Sequence, residues 1–560
     1  MGDLVRTASV AAVLVVLVGV MACRRIGAGD KPPVGDSHPV DSPADSLVDS
    51  ADSDPGESAV DSWSGETGDS SYGQDLDDDG YPVPDDCDDS DPEVNPGADE
   101  ICDNGVDDDC DGRSNGCRPE GQLGLAQADL QVMGLAGLGG IYAGDPVGDM
   151  DGDGAADMLA YAPLDQRGTR EPQGSAYLIH DLGSYSGVQD LGIASVNFAG
   201  PDTSMLGTRA RGMQDTNGDG VRDLVIPHCA EGKPLCILHG PHEGEVELDA
   251  SWDGMIVGPS GSYLTLSAPV LDSGDADGDG LGDLLIGQPA ASSYSGAVML
   301  IAGPLTGSMS TEDARTTLYG DEGGTYESTQ AGWSVALVDV DGDGLLDMLF
   351  GAPEQEVPSG GDREGAVFGF LGSPAGWLDS SDADLALYGK DSLDYCGVVV
   401  APGDSDGDGY EDLWIGAPGA DIAADNDGVA YMVPGGAYVG GLDTSAASVA
   451  SASVRGDAED SALELAPRIG DVDADGHAEL ALISDGRAYL FYGPLDSGTQ
   501  AASEANAVLS GESADNAVYA VHGPGDVNGD GYDDIAASLE RWEDGGANLG
   551  SFYVVFGGSY

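Results

Sequence analysis

Short apolar runs closed by glycine or proline recur along most of this chain, as in DLLIGQP (283–289), DMLFGAP (347–353) and DLWIGAP (412–418). Each is too short for an amphipathic helix and shows no helical period, so it predicts a buried strand. A second apolar stretch stands ahead of it, for example GWSVALVD (332–339). A third follows a Gly-rich turn and mixes small with apolar residues: GSAYLIH, GAVMLIAG, GAVFGFLG, GVAYMVPG, GRAYLFYG and GSFYVVFGG. A fourth ends in glycine, as ADLALYG does at Gly389. Seven such units recur at intervals of 55 to 67 residues. Four short strands per repeat, with glycine at the corners, describe one blade of a β-propeller. The predicted fold is therefore all-β, a seven-bladed β-propeller over residues 123–560. The last unit stops after its third strand, and its missing fourth stands at the other end as ADLQVMG (Ala128–Gly134). Pairing the two would close the ring and leave no open edge.

Between the first and second strand of every unit lies a polar loop, D-x-[DN]-x-D-G-x-x-[DE], and its chemistry is that of a hard cation. The oxygens proposed as ligands belong to positions one, three, five and nine, with the backbone carbonyl of position seven. They are Asp149, Asp151, Asp153, Ala155 and Asp157; Asp215, Asn217, Asp219, Val221 and Asp223; Asp275, Asp277, Asp279, Leu281 and Asp283. The later loops supply Asp339, Asp341, Asp343, Leu345 and Asp347; Asp404, Asp406, Asp408, Tyr410 and Asp412. The last two supply Asp471, Asp473, Asp475, His477 and Glu479; Asp526, Asn528, Asp530, Tyr532 and Asp534. Alternating carboxylates in one tight turn suit Ca²⁺, which takes six to eight oxygens at ~2.3–2.6 Å, whereas softer metals want His or Cys. Position six is always glycine, where the turn needs a positive φ. An EF-hand is excluded because position twelve, its bidentate Glu, is Ala160, Ile226, Ile286, Phe350, Ile415, Leu482 or Ala537.

The unit resembles the FG-GAP repeat of the integrin α-subunit propeller, in which a D-x-[DN]-G-D-G-x-x-D loop precedes DLLIGAP-like text. The resemblance implies Ca²⁺ in loops on one face of the disc and ligand binding by the opposite face or the rim. The sixth repeat departs most, with Ala474 for Gly and Glu479 for Asp. Its site is expected to be the weakest. Asn217 and Asn528 lower the charge of two loops without removing the oxygen.

Acids number 102 against 19 bases, a net charge of -83. That argues against nucleic acid or an anionic membrane surface as partner. Such charge alone reads as disorder, but 41% of residues are hydrophobic and many acids sit in the seven loops.

The N-terminus sets the expected compartment. Ala8–Ala22 is a largely apolar run, short for a membrane span of ~20 residues and similar to the h-region of a signal peptide. Val20-Met21-Ala22-Cys23 resembles a bacterial lipobox, with residues 1–22 as signal peptide and Cys23 as the lipidated residue. Plain secretion and an uncleaved anchor stay open beside an outer-membrane or cell-surface lipoprotein. Residues 23–74 are rich in Asp, Ser and Pro and predict a disordered tether. Residues 75–117 form an Asp/Cys-rich module with four cysteines and too little apolar content for a core. It resembles a metal-binding motif common in secreted bacterial proteins, through its DLDDDGY, DCDD, NPGADEICDN and DDDCDG text. Asp75, Asp77 and Asp79 look like a second style of Ca²⁺ loop. Cys87, Cys102, Cys110 and Cys117 either form disulfides, which export favours, or hold Zn²⁺. Cys229 and Cys236 flank a short turn and are expected to pair, leaving Cys396 buried and alone.

Catalysis finds little support. There is no HExxH, and the one G-x-S-x-G, Gly403–Gly407, lies inside the fifth loop. Arg455-Gly456-Asp457 could be mistaken for an adhesion tripeptide, but its glycine ends a blade strand. The reading is a non-catalytic, monomeric, calcium-binding surface protein that recognises a protein or glycan. The alternatives are a propeller-scaffolded hydrolase and a structural envelope protein. The polar loops Glu354–Asp362 and Asp321–Gln330 are the candidate ligand contacts.

Overall fold

The structure is a computed structural model that describes residues 118–558 apart from several short loop segments, together with scattered residues between Asp77 and Cys110. The expectations for residues 1–74, including Cys23, and those for Asp75, Asp79, Cys102 and Cys117 lie outside the described residues. The chain divides into two compact units, one over Ala22–Asn115 and one that includes Gly116–Tyr560.

In the larger unit every repeat becomes a blade. Blade three is representative: Val270–Gly274, Asp283–Gln288, Ala297–Ile301 and Thr316–Tyr319 run antiparallel in sequence order. The second and third strands of this blade are buried along their whole length. That explains why they read as continuous apolar runs and not as alternating ones: neighbouring blades cover both faces. Seven apolar clusters hold the ring, each formed between adjacent blades. Leu349 and Val367 of blade four meet Leu413 and Ile415 of blade five. Leu130, Val132 and Val554 of blade seven meet Ile141, Met158 and Ile179 of blade one.

The closure follows the expected register. Leu130–Met133 pairs antiparallel with Ser551–Val555, setting Leu130 opposite Val554 and Val132 opposite Phe552. The N–H of Gly134 donates to the Gly550 carbonyl at 3.2 Å, and the N–H of Phe556 donates to Asp129 at 2.9 Å.

Each blade also carries a fifth strand beyond the four that the repeat predicts. The connector between the third and fourth strands of one blade lies parallel on the fourth strand of the blade before it. Gly187–Asp190 lies on Leu130–Met133, Gly244–Glu247 on Val196–Ala199, Gly307–Ser310 on Gly254–Val257, and Gly376–Leu378 on Thr316–Tyr319. Leu442–Ser445 and Gly498–Ala501 continue the pattern, and Gly121–Gly124 completes it on Ala507–Ser510 of blade six. The N-terminus of the propeller therefore supplies two strands to the closure. These connectors are three or four residues long and largely exposed, so no hydrophobic pattern marks them.

Within the smaller unit Cys87 and Cys110 form a disulfide. In the propeller Cys229 bonds to Cys236, and Cys396 is buried as a free thiol.

Candidate cation sites

All seven acidic loops join the first strand of a blade to the second, and all are shaped by the same backbone-to-carboxylate bonds. In the second loop the carboxylate of Asp215 accepts N–H bonds from Gly218 at 2.6 Å and from Gly220 at 2.6 Å. The position-six N–H donates to the position-one carboxylate in every loop, at 2.6 to 3.1 Å. The glycines there have φ between 87° and 102°, a region that side chains avoid. Position five accepts the N–H of position seven, as Asp153 does from Ala155 at 2.8 Å and Asp219 from Val221 at 2.9 Å. This fixes the peptides of Leu281, Leu345, Tyr410, His477 and Tyr532 in the same way. In the sixth loop Ala474 takes a left-handed φ of 55° where the other loops have glycine at position four.

Position nine is the buried end of each site. Its carboxylate accepts the N–H of position two in all seven loops, from Val472 to Glu479 at 2.6 Å up to Ala276 to Asp283 at 3.0 Å. In five blades its other oxygen accepts an N–H from the glycine after the third strand: Gly240, Gly303, Gly372, Gly435 and Gly557. Burial pushes the carboxyls of Asp283, Asp347 and Asp412 up to about 6, with neighbouring loop acids adding to it and backbone N–H groups opposing it. The same burial takes Asp534 to about 8 and Glu479 to about 9.

The donors converge. Asp149, Asp151 and Asp153 each offer an oxygen within 4.8 Å of the others, as do Asp275, Asp277 and Asp279, and Asp339, Asp341 and Asp347. Asp471, Asp473, Asp475 and Glu479 form a fourth such group. Among the acids of these loops, two buried carboxylate oxygens, Asp277 Oδ1 and Glu479 Oε1, accept no hydrogen bond. Such orphaned oxygens among like charges are costly unless a cation completes them. All-oxygen donors gathered in one tight loop fit a hard divalent ion.

Among the described residues, three loops also receive a basic side chain at position three. Arg315 reaches Asp277 at 3.0 Å, and Arg118 pairs with Asp473 while lying over the Tyr492 ring. His180 approaches Asp151 at 3.5 Å and Asp157 at 2.9 Å. None of these three was singled out in the sequence. Arg118 and Arg315 stand far along the chain from the loops they meet, so no local signal marks them.

Neighbouring loops touch around the ring. The position-eight N–H of one loop donates to the position-one carbonyl of the loop before it: Gly282 to Asp215, Ala478 to Asp404, Asp533 to Asp471 and, across the closure, Ala156 to Asp526. At Gly218, Gly278, Gly342 and Gly407 the position-seven side chain of the next loop leans on the position-four glycine. A Cβ on Gly342 would come within 2.4 Å of the Tyr410 ring.

The other motifs are structural. Ser405 is buried, and its N–H donates to Asp412 at 2.8 Å. Arg455 donates to the Gly456 carbonyl, and Asp457 accepts from Ser503, so the tripeptide is engaged within its own surface. The two candidate ligand loops meet at Glu354, which accepts from Ser328 at 2.7 Å and Gln330 at 3.3 Å; residues 321–327 and 357–361 lie outside the described residues.

A seven-bladed ring with one acidic loop per blade defines the class: an FG-GAP-repeat β-propeller. The FG-GAP repeat family matches residues 331–369, and the FG-GAP-like repeat family matches residues 471–537. The family described as "Putative metal-binding motif" matches residues 86–115 of the smaller unit. Among curated proteins the chain is 36% identical over 172 residues to phosphatidylinositol-glycan-specific phospholipase D of Rattus norvegicus, covering 29% of this chain and 20% of that protein. It is 32% identical over 124 residues to integrin alpha-4 of Xenopus laevis, covering 22% of this chain and 11% of the integrin. The match thus spans about a fifth of the phospholipase and about a tenth of the integrin. The propeller is of the kind found in integrin α and this phospholipase D, and its acidic clusters are those typical of FG-GAP calcium loops.

Proposed function

We propose that this chain is an exported, calcium-stabilised propeller that recognises a protein or glycan and does not catalyse a reaction. It would be held at the cell surface by a lipid on Cys23 or else secreted, and would act as a monomer. Ca²⁺ is the ion the donors favour, because six of the loops offer oxygen alone and orphaned oxygens remain buried in two of them. The observation that carries the recognition reading lies on the rim. Trp377 is 75% exposed on the outer strand of blade three and stacks on Tyr319, with ring centroids 5.5 Å apart. An exposed, stacked aromatic pair is a platform for a sugar ring or an extended peptide, and aromatic anchors of this kind dominate recognition surfaces. Among the described residues, no helix is long and apolar enough to cross a membrane.

Glycan and protein arrays probed with the wild type and with Trp377→Ala, in Ca²⁺ and in chelator, test the reading. Saturable binding that falls at least about tenfold in the variant supports it. A hydrolase is the competing reading, favoured by the likeness to a phospholipase D. Calcium-dependent turnover of a model phosphodiester or glycoside would overturn the non-catalytic reading in its favour.

A further inference from the structure

One of the seven loops does not close on oxygen alone. His180 follows the third strand of blade one, Ser175–Ile179, and by strand register its place is taken in the other blades by His239, Ala302, Leu371, Pro434, Tyr492 and Phe556. His239 sets its Nε2 3.1 Å from the Leu305 carbonyl, a backbone partner and not a carboxylate. His180 turns inward. Its side chain is nine-tenths buried, at 10% exposure, and its Nδ1 stands 2.9 Å from Asp157 Oδ1 and 3.5 Å from Asp151 Oδ2. The nitrogen is buried and lacks an aligned hydrogen bond; its contacts are ion pairs with two carboxylates, chiefly Asp157, which raise the imidazole's affinity for a cation, proton or metal. One donor atom from each of His180, Asp151 and Asp157 lies within 4.8 Å of the others.

From this geometry we propose that the first loop is a transition-metal site of the zinc class, distinct from the oxygen-only loops, with His180 Nδ1, Asp151 and Asp157 as ligands. Imidazole nitrogen suits Zn²⁺ and its first-row neighbours, whereas Ca²⁺ and Mg²⁺ take oxygen. Zn²⁺ binds His nitrogen at ~2.0–2.1 Å and carboxylate oxygen at ~2.0–2.2 Å, so at octahedral to tetrahedral angles its ligands stand ~3.0–3.4 Å apart. The two separations from Nδ1, 2.9 and 3.5 Å, bracket that range. Asp149 and Asp153, in the same loop, provide the negative charge that holds a divalent ion and further oxygens to complete its shell. This rests on the reading of the loops as cation sites and adds that one of them selects a different ion.

The test uses the full chain, stripped with chelator and equilibrated with micromolar Zn²⁺ in millimolar Ca²⁺. The wild type should retain one Zn²⁺ per chain against the Ca²⁺ excess. His180→Gln should bind it at least about tenfold more weakly, the lower end of what losing even an outer-shell partner costs a metal site. The Ca²⁺ count of the variant, measured on the same sample, reports that the ring is intact. X-ray absorption at the zinc edge of the wild type needs no variant and should show imidazole scattering. No retained Zn²⁺, equal retention in His180→Gln, or an all-oxygen shell each overturns the proposal. A Ca²⁺ count of zero with one histidine-bound Zn²⁺ would instead overturn the calcium reading and leave this one standing.

Discussion

Removing the N-terminal clasp should open the ring, and the structure sets the size of the effect. A chain beginning at Gly116 keeps both closing strands. One beginning at Ala128 loses the outer strand Gly121–Gly124 and Leu125, which is buried between blades six and seven. One beginning at Gly140 also loses Leu130 and Val132, both fully buried between blades seven and one. Burying an aliphatic side chain contributes ~1.5–3 kcal/mol, so the second truncation costs ~1.5–3 kcal/mol and the third ~5–9 kcal/mol. The larger figure approaches the whole stability of a typical domain, ~5–15 kcal/mol. It also bares the Ser551–Val555 edge with Phe552 and Val554, and such edges pair with other chains. Thermal melts and light scattering in millimolar Ca²⁺ should rank the three chains in that order, with the shortest aggregating. If the chain beginning at Gly140 is as monomeric and heat-stable as the one beginning at Gly116, the clasp is not what closes the ring.

Calorimetric titration of the chelated protein should find at least five Ca²⁺ sites, and the hydrogen bonds between neighbouring loops should make the isotherm steeper than independent sites allow; two sites or fewer would contradict the assignment. Without metal, stability should fall as pH rises. Five position-nine carboxyls bind protons more tightly folded than unfolded, so the folded state loses its advantage through about 6 for Asp283, Asp347 and Asp412, then through about 8 for Asp534 and 9 for Glu479. Saturating Ca²⁺ should flatten that slope with release of protons, and a metal-free melting temperature that climbs from pH 6 to 9 would refute the sign. Ala474→Gly should stabilise the protein by ~0.5–1 kcal/mol, since left-handed backbone costs alanine ~1–2 kcal/mol and glycine's added chain freedom takes part of that back. No gain in a denaturant titration would mean that the sixth loop is not strained at this residue.

The blades were legible because their signals are local and repeated. DLLIGQP and its relatives are buried on both faces, so the apolar run marks the strand wherever it falls. The loops were legible because glycine and acids keep fixed positions within nine residues. Closure by Leu130–Met133 could be inferred only because a repeat was short by one strand. The outer strands escaped because their pairing partner is another blade's backbone and their own side chains are exposed. A glycine opening most of them, at φ of 64° in Gly187 and 70° in Gly307, was the available sign. His180 escaped for a different reason. Its strand was recognised as GSAYLIH, but aligning third strands for their apolar residues gives no weight to the residue just after them.

The clasp also determines how the ring would bear tension. A pull on the chain ahead of Gly121 passes through the Arg118 contacts with Asp473 and the Tyr492 ring into the strands that lock the ring, not into a blade that could yield by itself. Of the two closing strands, the outer one has four paired residues and is exposed at its start, so it would part before the other and spare the cores. Leu130–Met133 would carry the load next, gripped by Ser551–Val555 on one side and by Gly187–Asp190 of blade one on the other. The attachment thus has a weak stage that lengthens under force and a strong stage that resists, a mechanical fuse ahead of the ring.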